Sequence, residues 1–355
     1  MELEDLGYNS ILEKYRIDQN LQGFKVGRVI SEHKERYIVK NTEKEYDGEV
    51  IGNLRFTANS RSDFPAVGDW VAFSEYNEDD ALIHAILPRR SVLERQAVGQ
   101  HGEKQIIATN IDYALIIQAV DRDFNINRIE RYLTICHSSK VEPVVVLTKT
   151  DLVDDDLLKD QIGKISERIP ELPVFTMSME DPEALKIVKD FIHRGKTYCL
   201  LGSSGAGKST LTNLLSEQSL MKTSHISSST QKGRHTTSHR ELLVLESGGV
   251  IIDNPGIREV GITDSSEGLE TTFEMISRTA EHCRFNDCTH TNETGCAVIS
   301  AVDNGEIDKA SYENYLRMER EKAHFEETIA EKRKKGKAFN KMIRDMKSTH
   351  SKYKK

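Results

Sequence analysis

Nine residues constrain this chain more than any others: Gly202-Ser203-Ser204-Gly205-Ala206-Gly207-Lys208-Ser209-Thr210. A short apolar run, Tyr198-Cys199-Leu200-Leu201, leads into them, and Leu211, Leu214 and Leu215 follow at helical spacing. Strand, glycine-rich loop and helix, in that order, are the setting that a phosphate-binding P-loop requires. Gly202, Gly205 and Gly207 permit the tight turn that points backbone N–H groups at phosphate oxygens. The N-terminus of the next helix adds a favourable field for an anion. Lys208 is placed to reach the β- and γ-phosphates, and the Ser209 hydroxyl to ligate Mg²⁺. The stretch predicts a nucleotide without saying which.

The 355 residues leave room for two or three domains and a substantial core. Apolar residues make up 37% and charged residues 30%, the balance of a soluble globular protein. No apolar run is long enough to suggest a membrane span. The N-terminal Met1-Glu2-Leu3-Glu4-Asp5 is acidic and lacks the basic and apolar regions of a signal peptide, so the cytoplasm is the expected location. With a net charge of −8, nucleic acid must be met through local basic patches. Of the five cysteines, Cys136 and Cys199 stand in apolar surroundings as core thiols. Cys283, Cys288 and Cys296 cluster, and in a reducing compartment a metal site is a better expectation than a disulfide.

Residues 1–22 read as a helical extension. Over 23–95, five short strand candidates separated by Gly, Asn and Asp turns predict a small β-barrel of the OB type. Over 96–262, strands and helices alternate, which predicts an α/β domain with a mostly parallel buried sheet. Ser247-Gly248-Gly249 marks a hairpin late in that region. The stretch from Lys222 to His239 is rich in Ser, Thr and His and reads as a nucleotide-sensing switch. A helical module carrying the Cys/His cluster is expected over 263–330. The tail over 331–355 holds, from Lys332 onward, eleven Lys or Arg against one acid, Asp345. It is either a solvated tail or a contact for RNA phosphates.

Thr148-Lys149-Thr150-Asp151 follows the strand-like Val144 to Leu147. It resembles the Asn-Lys-x-Asp guanine-recognition motif of GTPases, with Thr in place of Asn. A carboxylate at Asp151 can accept from both N1–H and the exocyclic amine of guanine, a donor pair that adenine lacks. The Lys149 stem can lie against the purine face. Ser178 falls where GTPases put a small residue beside the base. Asp253-Asn254-Pro255-Gly256 resembles the Asp-x-x-Gly motif, with Asp253 directed to Mg²⁺ through water and the Gly256 N–H to the γ-phosphate. In the switch, Thr236 or Thr237 offers a hydroxyl for Mg²⁺. Ile257 follows Asp-x-x-Gly where many GTPases carry a water-orienting Gln, so His235 or a group from a partner must position the water. The base motif precedes the P-loop, the order expected of a circularly permuted GTPase sheet.

Cys283, Cys288, His290 and Cys296 form C-x4-C-x-H-x5-C. Three thiolates and one imidazole suit a closed, tetrahedral and therefore structural Zn²⁺ site. The ordered combination of Thr148–Asp151, Gly202–Thr210, Gly233–Thr237, Asp253–Gly256 and the metal motif resembles the RsgA (YjeQ) family of small-ribosomal-subunit biogenesis GTPases. Val67-Gly68-Asp69-Trp70-Val71 and Leu87-Pro88-Arg89-Arg90-Ser91 are similar to that family's barrel. Thr148 for Asn and Asn254 for the more usual Thr are departures. The resemblance implies a factor that binds the small subunit near its decoding region, hydrolyses GTP faster there than alone, and then leaves. It also implicates His235 in catalysis. The expectation is thus a monomeric GTPase with GTP or GDP, Mg²⁺, one Zn²⁺ and small-subunit rRNA as its partners. The alternatives are a non-catalytic nucleotide-gated RNA-binding switch and an ATP-dependent enzyme, the latter opposed by Asp151.

Overall fold

The first strands follow from short runs that alternate apolar and polar residues. In the computed structural model, which describes residues 1–33, 35–96, 104–121, 123–178, 181–216, 241–253 and 266–327, a 3-10 turn (Leu3–Leu6) and helix α1 (Ser10–Asp18) come first. Then follow β1 (Lys25–His33), β2 (Arg36–Lys40), β3 (Glu45–Val50), α2 (Gly52–Thr57), β4 (Trp70–Glu75) and β5 (Asp80–Ile86). β1 pairs antiparallel with β2 and β4, β2 with β3, and β4 with β5, while β3 and β5 run parallel. The ring β1-β2-β3-β5-β4-β1 closes into the five-stranded barrel expected from the sequence. Tyr37, Val39, Tyr46, Val71, Phe73 and Ile83 fill it.

A hairpin, β6 (Val92–Gln96) and β7 (Lys104–Thr109), leads into the α/β domain. That domain runs β8 (Tyr113–Ala119), α3 (Ile126–Ser138), β9 (Glu142–Thr148), α4 (Asp155–Arg168), β10 (Val174–Met177), α5 (Pro182–Phe191), β11 (Thr197–Gly202), α6 (Lys208–Ser216), β12 (Glu241–Val244) and β13 (Val250–Asp253). The strand order is β10-β9-β8-β11-β13-β12, parallel except for β12, which pairs antiparallel with β13. The strands read as unbroken apolar runs because both faces are covered. Leu115, Ile117, Val144 and Val146 join the core beneath α5 and α6. Ala114, Ile116, Val145 and Leu147 join the core beneath α3 and α4. Helix α3 presents Ile129, Tyr132, Leu133 and Cys136 to the sheet, the 3.6-residue period of its sequence.

The barrel is fastened to this sheet by polar groups. Ser31 of β1 pairs with Glu241 of β12, so the barrel continues the central sheet. Asp69, fully buried, takes a bidentate pair from Arg89 at 2.9 and 2.7 Å and a hydrogen bond from the Thr109 hydroxyl at 2.7 Å. Arg28, 1% exposed, donates to the carbonyls of Leu6, Gly68 (3.2 Å) and Asn110 (3.1 Å) and to Thr197 Oγ1 (2.9 Å). Burial lowers its pKa to about 10, so it still carries its charge at neutral pH. One guanidinium therefore ties the N-terminal turn, the barrel and the first residue of β11 together. In Arg28→Met, the Gly68 carbonyl keeps the Asn110 amide at 3.0 Å, but the other three acceptors lose this donor. An orphaned buried acceptor costs roughly 1–3 kcal/mol. The variant is expected to lose at least about 3 kcal/mol, read as a lower urea midpoint. Arg28→Lys should recover little, because one ammonium cannot span four acceptors.

Helices α7 (Ser266–Thr272), α8 (Glu274–Ala280) and α9 (Ala297–Asp303), with a final helix, α10, over 309–327, form the C-terminal layer. Its core joins Leu269, Phe273, Ile276, Val298, Ile307 and Met318. The layer sits on the outer face of α3. A Cβ at Gly268 would lie 2.0 Å from Ser138 Oγ and 2.3 Å from the Thr134 carbonyl, so only glycine allows α7 to approach this closely. Glu130 of α3, 1% exposed, accepts from Arg168 at 2.7 and 2.8 Å, Ser311 at 3.0 Å and Asn314 at 2.5 Å. Burial raises its pKa despite those donors. Arg131 adds a bidentate pair to Glu321 at 2.9 and 2.5 Å. Among the described residues, no helix is long and apolar enough to cross a membrane.

Candidate nucleotide and metal sites

The parallel register carries the separate motifs to one edge. Thr148 pairs with Ala119 and with Met177, and Gly202 pairs with Ile117, so β8, β9, β10 and β11 end together. Carboxyl ends of parallel strands are where open α/β sheets bind ligands. Thr148, Lys149, Asp151 and Ser178 lie on one side of this edge and the Gly202–Thr210 loop on the other. Asp253 is the last residue of β13, whose Ile252 pairs with Cys199, and so reaches the same edge by its backbone. His235, Thr236, Thr237 and Gly256 lie outside the described residues, as does the basic tail.

The phosphate loop has the expected backbone. Gly202, Gly205 and Gly207 have φ of +148°, +81° and +102°. A Cβ at Gly202 would meet the Ile117 carbonyl at 2.3 Å, so this position demands glycine on both conformation and space. Lys208 begins α6 and donates to the loop carbonyls of Gly202 at 2.7 Å and Ser203 at 2.6 Å, which folds its ammonium over the loop. Ser209 and Thr210 are half-buried at the start of that helix, beside it.

The base motif is joined to the phosphate loop directly. Thr148, 2% exposed, donates its hydroxyl to the Ala206 carbonyl at 2.6 Å. Threonine at this position is thus long enough to brace the P-loop. Lys149 takes the left-handed conformation, φ +61°, and starts the 3-10 turn Thr150–Leu152, which sets the Asp151 carboxylate out from the sheet edge. Ser178 is buried one residue beyond Met177. Two residues of this site were not legible in the sequence. Asp121 accepts from Lys149 Nζ at 3.0 Å, and Asp123 accepts from the Ser203 hydroxyl at 2.7 Å. Burial works against both charged forms. Even so, hydrogen bonds from the Asp123 amide and Lys149 hold Asp121 below the ordinary aspartate range, and Arg128 and Ser203 do the same for Asp123. Acidic loop residues are commonly just solvated, and nothing in their spacing marks these as different.

The Cys/His motif closes on itself. One ligand atom from each of Cys283, Cys288, His290 and Cys296 lies within 4.8 Å of the others. Cys283 Sγ is 3.8 Å from Cys296 Sγ and 3.6 Å from His290 Nδ1, and Cys296 Sγ is 3.5 Å from that nitrogen. A tetrahedron with metal–sulfur bonds of about 2.3 Å has edges of roughly 3.7 Å, so the donor set fits such an ion. His290, φ +56°, is turned inward by a loop braced on Glu293, which accepts from the Thr289 amide and hydroxyl and the Thr291 and Asn292 amides at 2.5–3.1 Å. Burial lowers the His290 pKa, keeping the imidazole neutral and its lone pair available. The Tyr312 hydroxyl donates to the His290 carbonyl at 2.5 Å, tying the loop to α10.

Comparison with known proteins points to one family over most of the chain. The sequence model of the RsgA GTPase family matches residues 86–263. The chain is 41% identical to the small ribosomal subunit biogenesis GTPase RsgA 1 of Bacteroides thetaiotaomicron over 90% of each protein. It is 37% identical to RsgA 2 of Vibrio parahaemolyticus over 98% of this chain and 93% of that one. Among solved structures, YjeQ from Thermotoga maritima superposes with a TM-score of 0.64 at 26% identity, covering 86% of this chain and 98% of that one. YloQ, described as a circularly permuted GTPase, does so with a TM-score of 0.60 at 25% identity, covering 87% and 96%. The order of strands, the braced P-loop and these matches agree, and the chain belongs to the RsgA family of GTPases.

Proposed function

We propose that this GTPase acts on the small ribosomal subunit during its late maturation, in the cytoplasm and as a monomer, and that GTP hydrolysis times its release. The observation that carries the nucleotide half of this reading is the Thr148–Ala206 hydrogen bond, which joins the end of β9 to the P-loop and supports reading the two as one site. The ribosomal half is supported by the relatives' described role and by a barrel of a type that often binds oligonucleotides.

In this reading Asp151 accepts from the guanine edge, Lys149 lies along its face, and Ser178 closes the side. The amides of Gly202–Thr210 and the Lys208 ammonium hold the phosphates. Ser209, Asp253 and either Thr236 or Thr237 would hold Mg²⁺, which when bound neutralises charge on the β- and γ-phosphates. Gly256 would sense the γ-phosphate. His235 is the proposed water-positioning residue. Cys283, Cys288, His290 and Cys296 hold one structural Zn²⁺. The barrel over 23–95 and the metal module over 263–330 grip rRNA, with the basic tail over 331–355 on its phosphates, while the unit over 96–262 binds the nucleotide.

The test is GTP turnover with and without small subunits over a salt series. Bound subunits are expected to raise the rate by roughly 10³–10⁵-fold, the range seen when a partner completes a GTPase site. The stimulation should fall steeply with salt, as phosphate contacts do. Equal rates with and without subunits would sink the ribosomal reading.

A further inference from the structure

The turn between β8 and α3 is held more firmly than a solvated acidic loop needs to be. Gln118, 2% exposed, donates to the Asp123 carbonyl at 2.9 Å, and Gln161 of α4 donates to the Val120 carbonyl at 2.9 Å. The Asp123 amide donates to Asp121 Oδ1 at 2.9 Å, which fixes the first carboxylate. Arg128, in the first turn of α3, makes a bidentate pair with Asp123 at 2.8 and 3.3 Å, which fixes the second. Each carboxylate then spends its other contact on a different half of the nucleotide site. Asp121 Oδ2 holds Lys149 Nζ, and Asp123 Oδ2 receives the Ser203 hydroxyl.

We propose that this turn is a clamp that aligns the two halves of the site, with Asp121 a positioning residue for Lys149 and Asp123 a positioning residue for Ser203 in the phosphate loop. Nothing in the sequence motifs assigns either aspartate. An unrestrained lysine samples many rotamers, and its stem must settle into one to lie along a purine. The ion pair with Asp121 selects that rotamer before the ligand arrives, which removes an ordering cost from binding. The hydroxyl of Ser203, next after the last residue of β11, is held on the other side by Asp123. The distance between base and phosphate subsites is therefore set by two carboxylates that are themselves held in place.

The inference rests on the reading of Thr148–Asp151 as the base motif, and the experiment separates the two. GDP and GTP affinities and steady-state kinetics are measured for Asp121→Asn, Lys149→Met and the double variant, with thermal melting as the check on folding. Asp121→Asn keeps the shape and removes the charge. It is expected to weaken both nucleotides about tenfold, to raise KM more than it lowers kcat, and to be partly rescued by Asp121→Glu. In the Lys149→Met background, Asp121→Asn is expected to add nothing, since the group it positions is gone. The phosphate half follows the same logic, with Asp123→Ala and Ser203→Ala each weakening GDP and the double variant no worse than either single one. The clamp is overturned if Asp121→Asn binds like the parent while Lys149→Met is weakened, or if the two losses simply add. Should Lys149→Met itself bind like the parent, the base-motif reading fails and takes the clamp with it.

Discussion

Chelating the metal from the Cys283–Cys288–His290–Cys296 cluster is expected to unfold the layer over 266–327 while the α/β domain still binds guanine nucleotide. Helices α7, α8 and α9 have seven residues each, well below the length at which an isolated helix is stable in water. Their order comes from a small shared core, of which Cys296 is itself a buried member and Cys283 and Cys288 are half-buried ones. Cys296 also caps α9, its Sγ accepting from the Ile299 amide at 3.4 Å. Losing the ion therefore removes the cross-link, loosens the cap and leaves three thiols facing one another. Metal binding to modules of this kind contributes on the order of 10 kcal/mol to folding, more than such a core can replace.

The measurement is calorimetry with far-ultraviolet circular dichroism, before and after a strong chelator at neutral pH, repeated on Cys296→Ser. One transition is expected to become two, with helix lost in the first and recovered when Zn²⁺ is restored. GDP affinity should change by no more than a few-fold, because among the described residues no hydrogen bond or ion pair joins the cluster to the sheet edge or P-loop. The docked face of α3 will be affected, since unfolding the layer removes Ser311 and Asn314 from the buried Glu130. Arg168 remains to hold that carboxylate, so α3 should stay folded. A chelated protein that melts in one unchanged transition would show that the cluster is not a structural metal site.

That dependence shows where the sequence was informative and where it was not. The four Cys and His positions could be read off because metal chelation leaves a local spacing, and their ligand atoms lie within 4.8 Å of one another. The five barrel strands were legible for a similar reason, since a half-buried strand records its exposure residue by residue. The pairings that close the barrel, β1 with β4 and β3 with β5, join residues far apart in the chain and leave no local trace. The β6–β7 hairpin escaped because Glu94, Arg95, Gln96, Lys104 and Gln105 interrupt its alternation. The seat of the C-terminal layer was also hidden. The described contacts place it on α3, through Gly268 against Thr134 and Ser138 and through the buried Glu130. A glycine in a polar helix and a glutamate amid arginines look like surface features until the partner helix is in place.

Thr148 is the instructive case within the site. Read as a departure from Asn, it weakens the guanine motif, since a threonine reaches less far. In the structure its hydroxyl is directed at the Ala206 carbonyl rather than at the base position. The motif's first residue is thus a brace for the phosphate loop, a task that a short side chain at the end of β9 performs well. In the proposed reading, the guanine edge is then read by Asp151, with Lys149 along the face of the base and Ser178 at its side. This makes the outcome of changing Asp151 unusually sharp.

Replacing Asp151 by Asn is expected to weaken GDP and GTP roughly 10²–10³-fold with no loss of stability. The Asp151 side chain is exposed, sits in the 3-10 turn after Lys149, and has no hydrogen bond or ion pair among the described residues, so removing its charge leaves nothing unpaired in the fold. The cost appears only with guanine bound. A carboxylate accepts from N1–H and from the exocyclic amine, two charge-assisted hydrogen bonds worth about 1.5–3 kcal/mol each. Asparagine can accept from one donor but turns an amide N–H₂ toward the other. Xanthine carries a carbonyl where guanine has the amine, so the same amide should now find an acceptor. The variant is expected to bind xanthosine diphosphate better than GDP, inverting the parent's preference, and its turnover of xanthosine triphosphate should exceed its turnover of GTP at low concentration. Competition of the three diphosphates against a fluorescent nucleotide reads this out, with melting curves to confirm an intact fold. Should Asp151→Asn bind GDP as the parent does, the guanine edge must be read from somewhere other than the end of β9. Lys149 would then be left as a phosphate-side or structural residue.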